Sequence, residues 1–167
     1  KISSLLTFFL GTANMIVSPI IARFHMDNNK EALQKLMTSV SLVVTGLTVI
    51  VAFCIVLGSG FLLGLFGEEY LQGKSVLIIL CIGSCINALT GTASYLLSLT
   101  GNQRFVMMIL LGSAVGNFSL NVFMVSNYGV IGAAISTAIV TTCWNIALLV
   151  IAIRKLGVNP TFFPLRV

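Results

Sequence analysis

Residues 39–57, SVSLVVTGLTVIVAFCIVL, hold 19 consecutive positions without a charged side chain. A helix that crosses a hydrocarbon core of roughly 30 Å needs about 20 such residues, whereas a buried strand or core helix is shorter. The stretch therefore reads as a transmembrane helix. The apolar run continues to Phe66, too far for one straight span, and Gly58, Ser59 and Gly60 interrupt it. A short interfacial helix over 61–66 is predicted next, and the acidic turn Gly67, Glu68, Glu69, Tyr70 then faces water. Upstream lies DNNKEALQKLM, where Asn28 and Glu31 have capping-box spacing. Ala32, Leu33, Leu36 and Met37 share one face there, so an amphipathic helix over 28–37 with its charges in solvent leads into the span.

The same pattern recurs along the chain. Apolar runs occupy Leu5 to Ala22, Ser75 to Leu99, Phe105 to Val125 and Gly129 to Ile153, and all 13 charged residues, 9 basic and 4 acidic, fall between runs. Spans are predicted at about 5–24, 39–57, 75–99, 105–125 and 129–153. Hydrophobic residues make up 57% of the chain and charged ones 8%, with a mean hydropathy of +1.09. A soluble domain carries roughly 25% charged residues, so this chain cannot clothe a water-facing exterior. A signal peptide is excluded, because its single apolar region is only about 7–15 residues long. In hydrocarbon every backbone amide needs an internal partner, which leaves helices or a closed barrel. No run alternates apolar with polar positions, so the barrel is excluded. The fold class is all-α: a polytopic transmembrane helix bundle of about five spans, one membrane domain over 1–167.

The net charge of +5 comes from basic residues scattered singly or in pairs, which form no stripe for nucleic acid. Cys54, Cys81, Cys85 and Cys143 lie inside apolar runs, and none forms a ligand pair separated by two residues, so neither a disulfide nor a metal site is implied. Lys and Arg decide orientation, since short cytoplasmic loops carry the excess. Arg23, Lys30, Lys35, Arg104, Arg154, Lys155 and Arg166 fall on one side, and only Lys1 and Lys74 on the other. The carboxy terminus is therefore predicted in the cytoplasm, in a cytoplasmic (inner) membrane, with the connection Ser126, Asn127, Tyr128 outside. Gly157, Asn159, Pro160 and Pro164 end the last helix, leaving Phe162, Phe163 and Arg166 in a tail that rests on the interface.

No ionisable residue falls within the runs, so the spans offer no proton relay, metal site or nucleophile with its base. His25 reads as an interfacial residue beside Arg23. An enzyme and a cofactor are accordingly not expected. Small residues four apart (Gly60 and Gly64, Gly112 and Gly116, Gly132 and Ser136, Ala134 and Ala138) suit close helix packing. Uncharged polar residues at helical spacing are more informative, because an amide in lipid must find a partner or a wet cavity. Asn117 and Asn121 share a face of the fourth span; Ser84, Asn87 and Gly91 share one on the third; Asn14 and Ser18 precede Pro19 in the first. These positions read either as a polar cavity for a hydrophilic substrate or as interhelical hydrogen bonding. Pro19 removes a helical hydrogen bond and is a candidate hinge.

SPIIARFH, NNKEALQKL, GFLLGLFGEEY, SLTGNQRF and NYGVIGAAISTAI follow one another between Ser18 and Ile153. In order and spacing they resemble the carboxy-terminal half of the oligosaccharide and polysaccharide flippases of the multidrug/oligosaccharidyl-lipid/polysaccharide exporter superfamily. The resemblance implies one lobe of a two-lobed transporter of twelve or more helices, which moves a lipid-linked saccharide precursor across the membrane by alternating access. This chain then supplies the last four helices and the end of the one before. Its partners are the lipid-linked saccharide, membrane lipid and a homologous amino-terminal lobe, and the start at KISSLL reads as that of a fragment. Asn14, Asn87, Asn117 and Asn121 become candidate cavity residues, with Arg23 and Arg104 admitting a phosphate. The chain lacks the intramembrane basic cluster of some such flippases. Two alternatives stand: a drug or cation antiporter lobe, disfavoured by the lack of acidic residues in these spans, and a non-transporting membrane subunit.

The predicted topology is testable by labelling. With Cys54, Cys81, Cys85 and Cys143 replaced by serine, Asn127→Cys should react with a membrane-impermeant maleimide added to intact cells, and Gln103→Cys only after permeabilisation. The reverse pattern overturns the orientation.

Overall fold

A computed structural model describes residues 4–65, 67, 73–90 and 92–161, with the backbone alone for 4–10, 13 and 14. Its elements are α1 (Ser4–Met26), α2 (Lys30–Leu57), α3 (Ser59–Gly64), α4 (Lys74–Thr90), α5 (Thr92–Leu99) and α6 (Gln103–Leu156), with no strand among the described residues. Three stretches, Lys30–Leu57, Lys74–Leu99 and Gln103–Leu156, are long and apolar enough to cross a membrane. Large apolar side chains such as Phe53, Met108, Phe118 and Val130 lie on the outside, the arrangement expected of a bundle solvated by lipid. The protein is an all-α polytopic membrane helix bundle.

The fourth and fifth predicted spans are arms of α6. At 54 residues a straight helix would reach about 81 Å, far beyond a bilayer core. The break is Gly129, whose φ of 58° and ψ of −138° lie outside the helical region and are open only to glycine at little cost. Beyond it the second arm folds back on the first. A Cβ on Gly132 would stand 2.1 Å from the carbonyl oxygen of Met124, so this position admits no side chain. Gly132 thus marks a close backbone approach, and Gly83 on α4 lies against Ala138 in van der Waals contact, a Cβ there meeting that of Ala138 at 3.4 Å.

The opposite end of the bundle is built from reversals of another kind. α1 stops at a turn in which Asn28 takes φ 51°, with Asn28 N donating to His25 O and Asn29 N to Phe24 O; this paired pattern satisfies the last carbonyls of the helix. Gly101, φ 79°, closes the turn after α5, and Asn102 N donates back to Leu97 O. The helix cap of α2 is Asn29, whose Oδ1 accepts from Ala32 N at 3.0 Å. The capping box expected from Asn28 and Glu31 does not form: Asn28 is spent on the left-handed turn, the cap falls on Asn29, and Ala32 three residues on has no side chain to reciprocate. Glu31 instead accepts from Lys35 at 2.7 Å on the solvent face. Residues 30–57 form one unbroken helix, so the amphipathic segment is the first turns of the span itself. The short helix after Gly58 occupies Ser59–Gly64 rather than 61–66; Phe66, Glu68, Glu69 and Tyr70 lie outside the described residues.

Two apolar clusters mark the two ends. One joins Ile21, Met37, Leu96, Leu97, Leu148 and Ala152, and the other Ala52, Ile55, Leu63, Leu77 and Cys81. Arg23, Lys30, Lys35, Arg104, Arg154 and Lys155 all belong to the first end by helix order, and Lys74 to the second. Residues 157–161, which follow α6, pack at the basic end: Gln34 Nε2 donates to Asn159 O at 2.7 Å, Asn159 N to Gln34 Oε1 at 2.6 Å, and Thr92 Oγ1 to Pro160 O at 3.0 Å. Val158 and Thr161 are buried. The side-chain amide of Gln34 satisfies both backbone groups of Asn159, which lets a non-helical segment enter the bundle. Phe162, Phe163, Pro164 and Arg166 lie outside the described residues.

Gly132→Ala should lower thermal stability in detergent by about 1–3 kcal/mol, the usual cost of forcing extra carbon into a packed contact. Gly112→Ala, where a Cβ meets nothing within 4 Å, should be neutral or stabilising by up to about 1 kcal/mol. Equal melting temperatures for the two variants would contradict the folded-back hairpin.

Candidate functional site

Between the two apolar clusters lies a layer of polar side chains at the contacts of α2 with α4 and of α4 with the second arm of α6. Ser41 Oγ donates to Leu89 O across α2 and α4 at 3.3 Å, which fixes the level at which the two helices meet. Thr45 and Thr48 continue the same buried face of α2 by one and two turns. On the other side of α4, Asn145 Nδ2 donates to Asn87 Oδ1 at 2.9 Å and to Thr141 O at 2.9 Å. Asn145 is 1% exposed and Thr48 and Ser136 are fully buried, so these groups are shielded from lipid. Their hydroxyls largely bond locally: Ser84 Oγ to Leu80 O at 2.8 Å, Thr90 Oγ1 to Ile86 O at 2.9 Å and Ser136 Oγ to Ala133 O at 3.0 Å.

Three buried side-chain atoms in this layer, Thr45 Oγ1, Thr48 Oγ1 and Asn145 Oδ1, have no hydrogen-bond partner. An unsatisfied polar atom in an apolar interior costs about 1–3 kcal/mol. The layer offers hydroxyl and amide groups of no net charge, the chemistry that exchanges hydrogen bonds with a hydroxyl-rich solute. Among the described residues no group of three or more His, Cys, Asp or Glu side chains comes together, and the layer contains no ionisable acid or base.

The residues singled out from the sequence separate into three places. Asn87 is in the layer, joined to Asn145. Asn117 and Asn121 lie together on the first arm of α6, half-buried, with Asn121 Nδ2 donating to Asn117 Oδ1. No described hydrogen bond links that pair to Asn87. Arg23 and Arg104 are exposed at the basic end, Arg23 Nε standing 3.9 Å from Asp27. Asn14 is on α1, but its side chain lies outside the described residues, as does Gly91. α1 runs as helix through Pro19, which is exposed.

Sequence reasoning passed over Asn145, Thr45 and Thr48. Its signal was polar residues three or four apart within one span, a spacing that Asn145 shares with Thr142 and Thr141. The rule that a lone amide in lipid must find a partner on another helix would have marked it.

Residues 1–123 of the chain match the family model described as MatE. No curated protein and no solved structure matches the chain.

Removal of the interhelical bond and removal of an orphan hydroxyl should have opposite consequences. Asn145→Leu leaves Asn87 Oδ1 without its partner and should destabilise the bundle in detergent by about 1 kcal/mol, the typical worth of a hydrogen bond between membrane helices. Thr48→Val removes an unpartnered hydroxyl and should be neutral or stabilising. A destabilising Thr48→Val would show that its hydroxyl is satisfied in the protein.

Proposed function

The chain belongs to the MatE family of membrane transporters, in the multidrug/oligosaccharidyl-lipid/polysaccharide exporter superfamily, and from that premise we propose that it serves a flippase for lipid-linked saccharides. The observation that carries this reading is the uncharged polar layer around Asn87 and Asn145, with its unpartnered Thr45, Thr48 and Asn145 oxygens. A saccharide offers many neutral donors and acceptors, which such a layer can exchange one for another. An ion-coupled antiporter usually draws on carboxylates within its spans, and the spans described above carry none.

In this reading the bundle is one lobe of two, rocking against a homologous amino-terminal lobe about a central cavity, as alternating access requires. The lobes share a cytoplasmic membrane, with the basic end of this bundle in the cytoplasm. Asn87, Asn117, Asn121 and Asn14 face the cavity, Arg23 and Arg104 draw in a phosphate at its mouth, and Pro19 is the point at which α1 bends. Family membership is equally compatible with multidrug export, so the two activities must be separated by measurement.

The intact protein, reconstituted into vesicles, should move a labelled lipid-linked oligosaccharide so that its headgroup becomes accessible from the opposite face. Asn117→Leu with Asn121→Leu should slow that movement about tenfold, equivalent to about 1.4 kcal/mol of lost polar contact, while membrane insertion is unchanged. Proton-driven drug efflux without any headgroup translocation would replace the flippase reading with the antiporter one.

A further inference from the structure

At the basic end, the close of α1, the start of α2 and the end of α6 enclose a cavity of about 130 Å³ lined by His25, Asn28, Lys30 and Lys155. Its remaining walls are apolar, from Phe24, Leu33 and Val158 among others. Pockets for drug-sized ligands run to roughly 300–1,000 Å³, so this one suits a single small group and excludes an oligosaccharide.

The charge around it is uncompensated. Of the acids at this end, Asp27 lies near Arg23 and Glu31 accepts from Lys35, and among the described residues neither Lys30 nor Lys155 has a carboxylate partner. Lys155 is held in place from outside the cavity, its Nζ 4.8 Å from the centroid of the Phe105 ring, a contact that steadies an ammonium without neutralising it. Lys30 is the first residue of α2, where the helix dipole adds positive potential. Two lysines, a histidine and an asparagine therefore line a cavity with an apolar wall at the end of a membrane bundle. That combination matches a phosphate attached to an acyl chain, since basic pockets between membrane helices hold anionic headgroups.

We propose that this cavity binds the phosphate of an anionic lipid headgroup, with Lys30 and Lys155 as its counter-charges and the acyl chain leaving along the apolar wall. The site is a resident lipid site distinct from the polar layer, and it requires only the lipid-embedded bundle, whatever the protein transports.

The test is native mass spectrometry of the intact protein in detergent, titrated with phosphatidylglycerol or phosphatidylcholine, with inorganic phosphate as competitor. Phosphatidylglycerol should be retained in preference to phosphatidylcholine. Lys30→Gln with Lys155→Gln should weaken its retention about thirtyfold, the combined effect of two cations near a membrane surface. Lys30→Arg with Lys155→Arg should restore it. Lys35→Gln with Lys74→Gln removes the same charge elsewhere and should leave retention within about twofold of the parent, since neither residue lines the cavity. Equal losses in the two Gln pairs, or equal retention of the two lipids, would overturn the proposal. Displacement of the lipid by an equal concentration of inorganic phosphate would assign the cavity to the free anion instead.

Discussion

Asn145 donates to Asn87 from the middle of an arm whose other face is apolar. In hydrocarbon no solvent can take the place of that partner, so the constraint is geometric: α4 and the second arm of α6 must meet at this level with their polar sides together. Gly83 against Ala138 lets the two backbones approach, and Ser41 bonding to Leu89 brings α2 against α4 near the same level. The ends are then free to pack by shape, and each has its own apolar cluster. Polar pairing thus sets the register in the middle of the bundle, and apolar packing closes it at both ends.

The two ends differ in how the chain reverses. At the basic end, left-handed residues Asn28, Gly101 and Gly157 terminate helices with hydrogen-bonded turns, and Gln34 secures the segment after α6. At the other, α6 turns at Gly129 and folds back so closely that Gly132 abuts the Met124 carbonyl. Among the described residues the basic end is the more polar and the more elaborately bonded, consistent with a surface that meets headgroups and solvent. It is also where the cations concentrate.

Much of the fold was legible because the charges segregate so cleanly from the apolar runs. The all-α polytopic bundle, the interruption at Gly58 and the reversal near Tyr128 followed from length and composition. What escaped depends on contacts between distant residues. Gln34 and Asn159 are 125 positions apart, and nothing in either neighbourhood announces the other. The cap moved from Asn28 to Asn29 because the preceding turn had a stronger claim on Asn28, a competition that spacing alone cannot resolve. For the candidate site, Asn87 was visible through its helical spacing with Ser84, and Asn145 equally so through Thr142 and Thr141, whereas the bond between them joins two helices and spacing within one helix cannot show it.

The bundle requires lipid at its outer faces, with the polar minority pointing inward. Nitroxide labels at Val43, Ile50 and Phe53, all exposed on α2, report this directly through relaxation by oxygen, which partitions into hydrocarbon, or by a nickel chelate, which stays in water. In reconstituted protein the account predicts strong relaxation by oxygen and little by nickel at all three, against strong nickel relaxation for a label at Asn127. Nickel relaxation at Val43, Ile50 and Phe53 as strong as at Asn127 would contradict it.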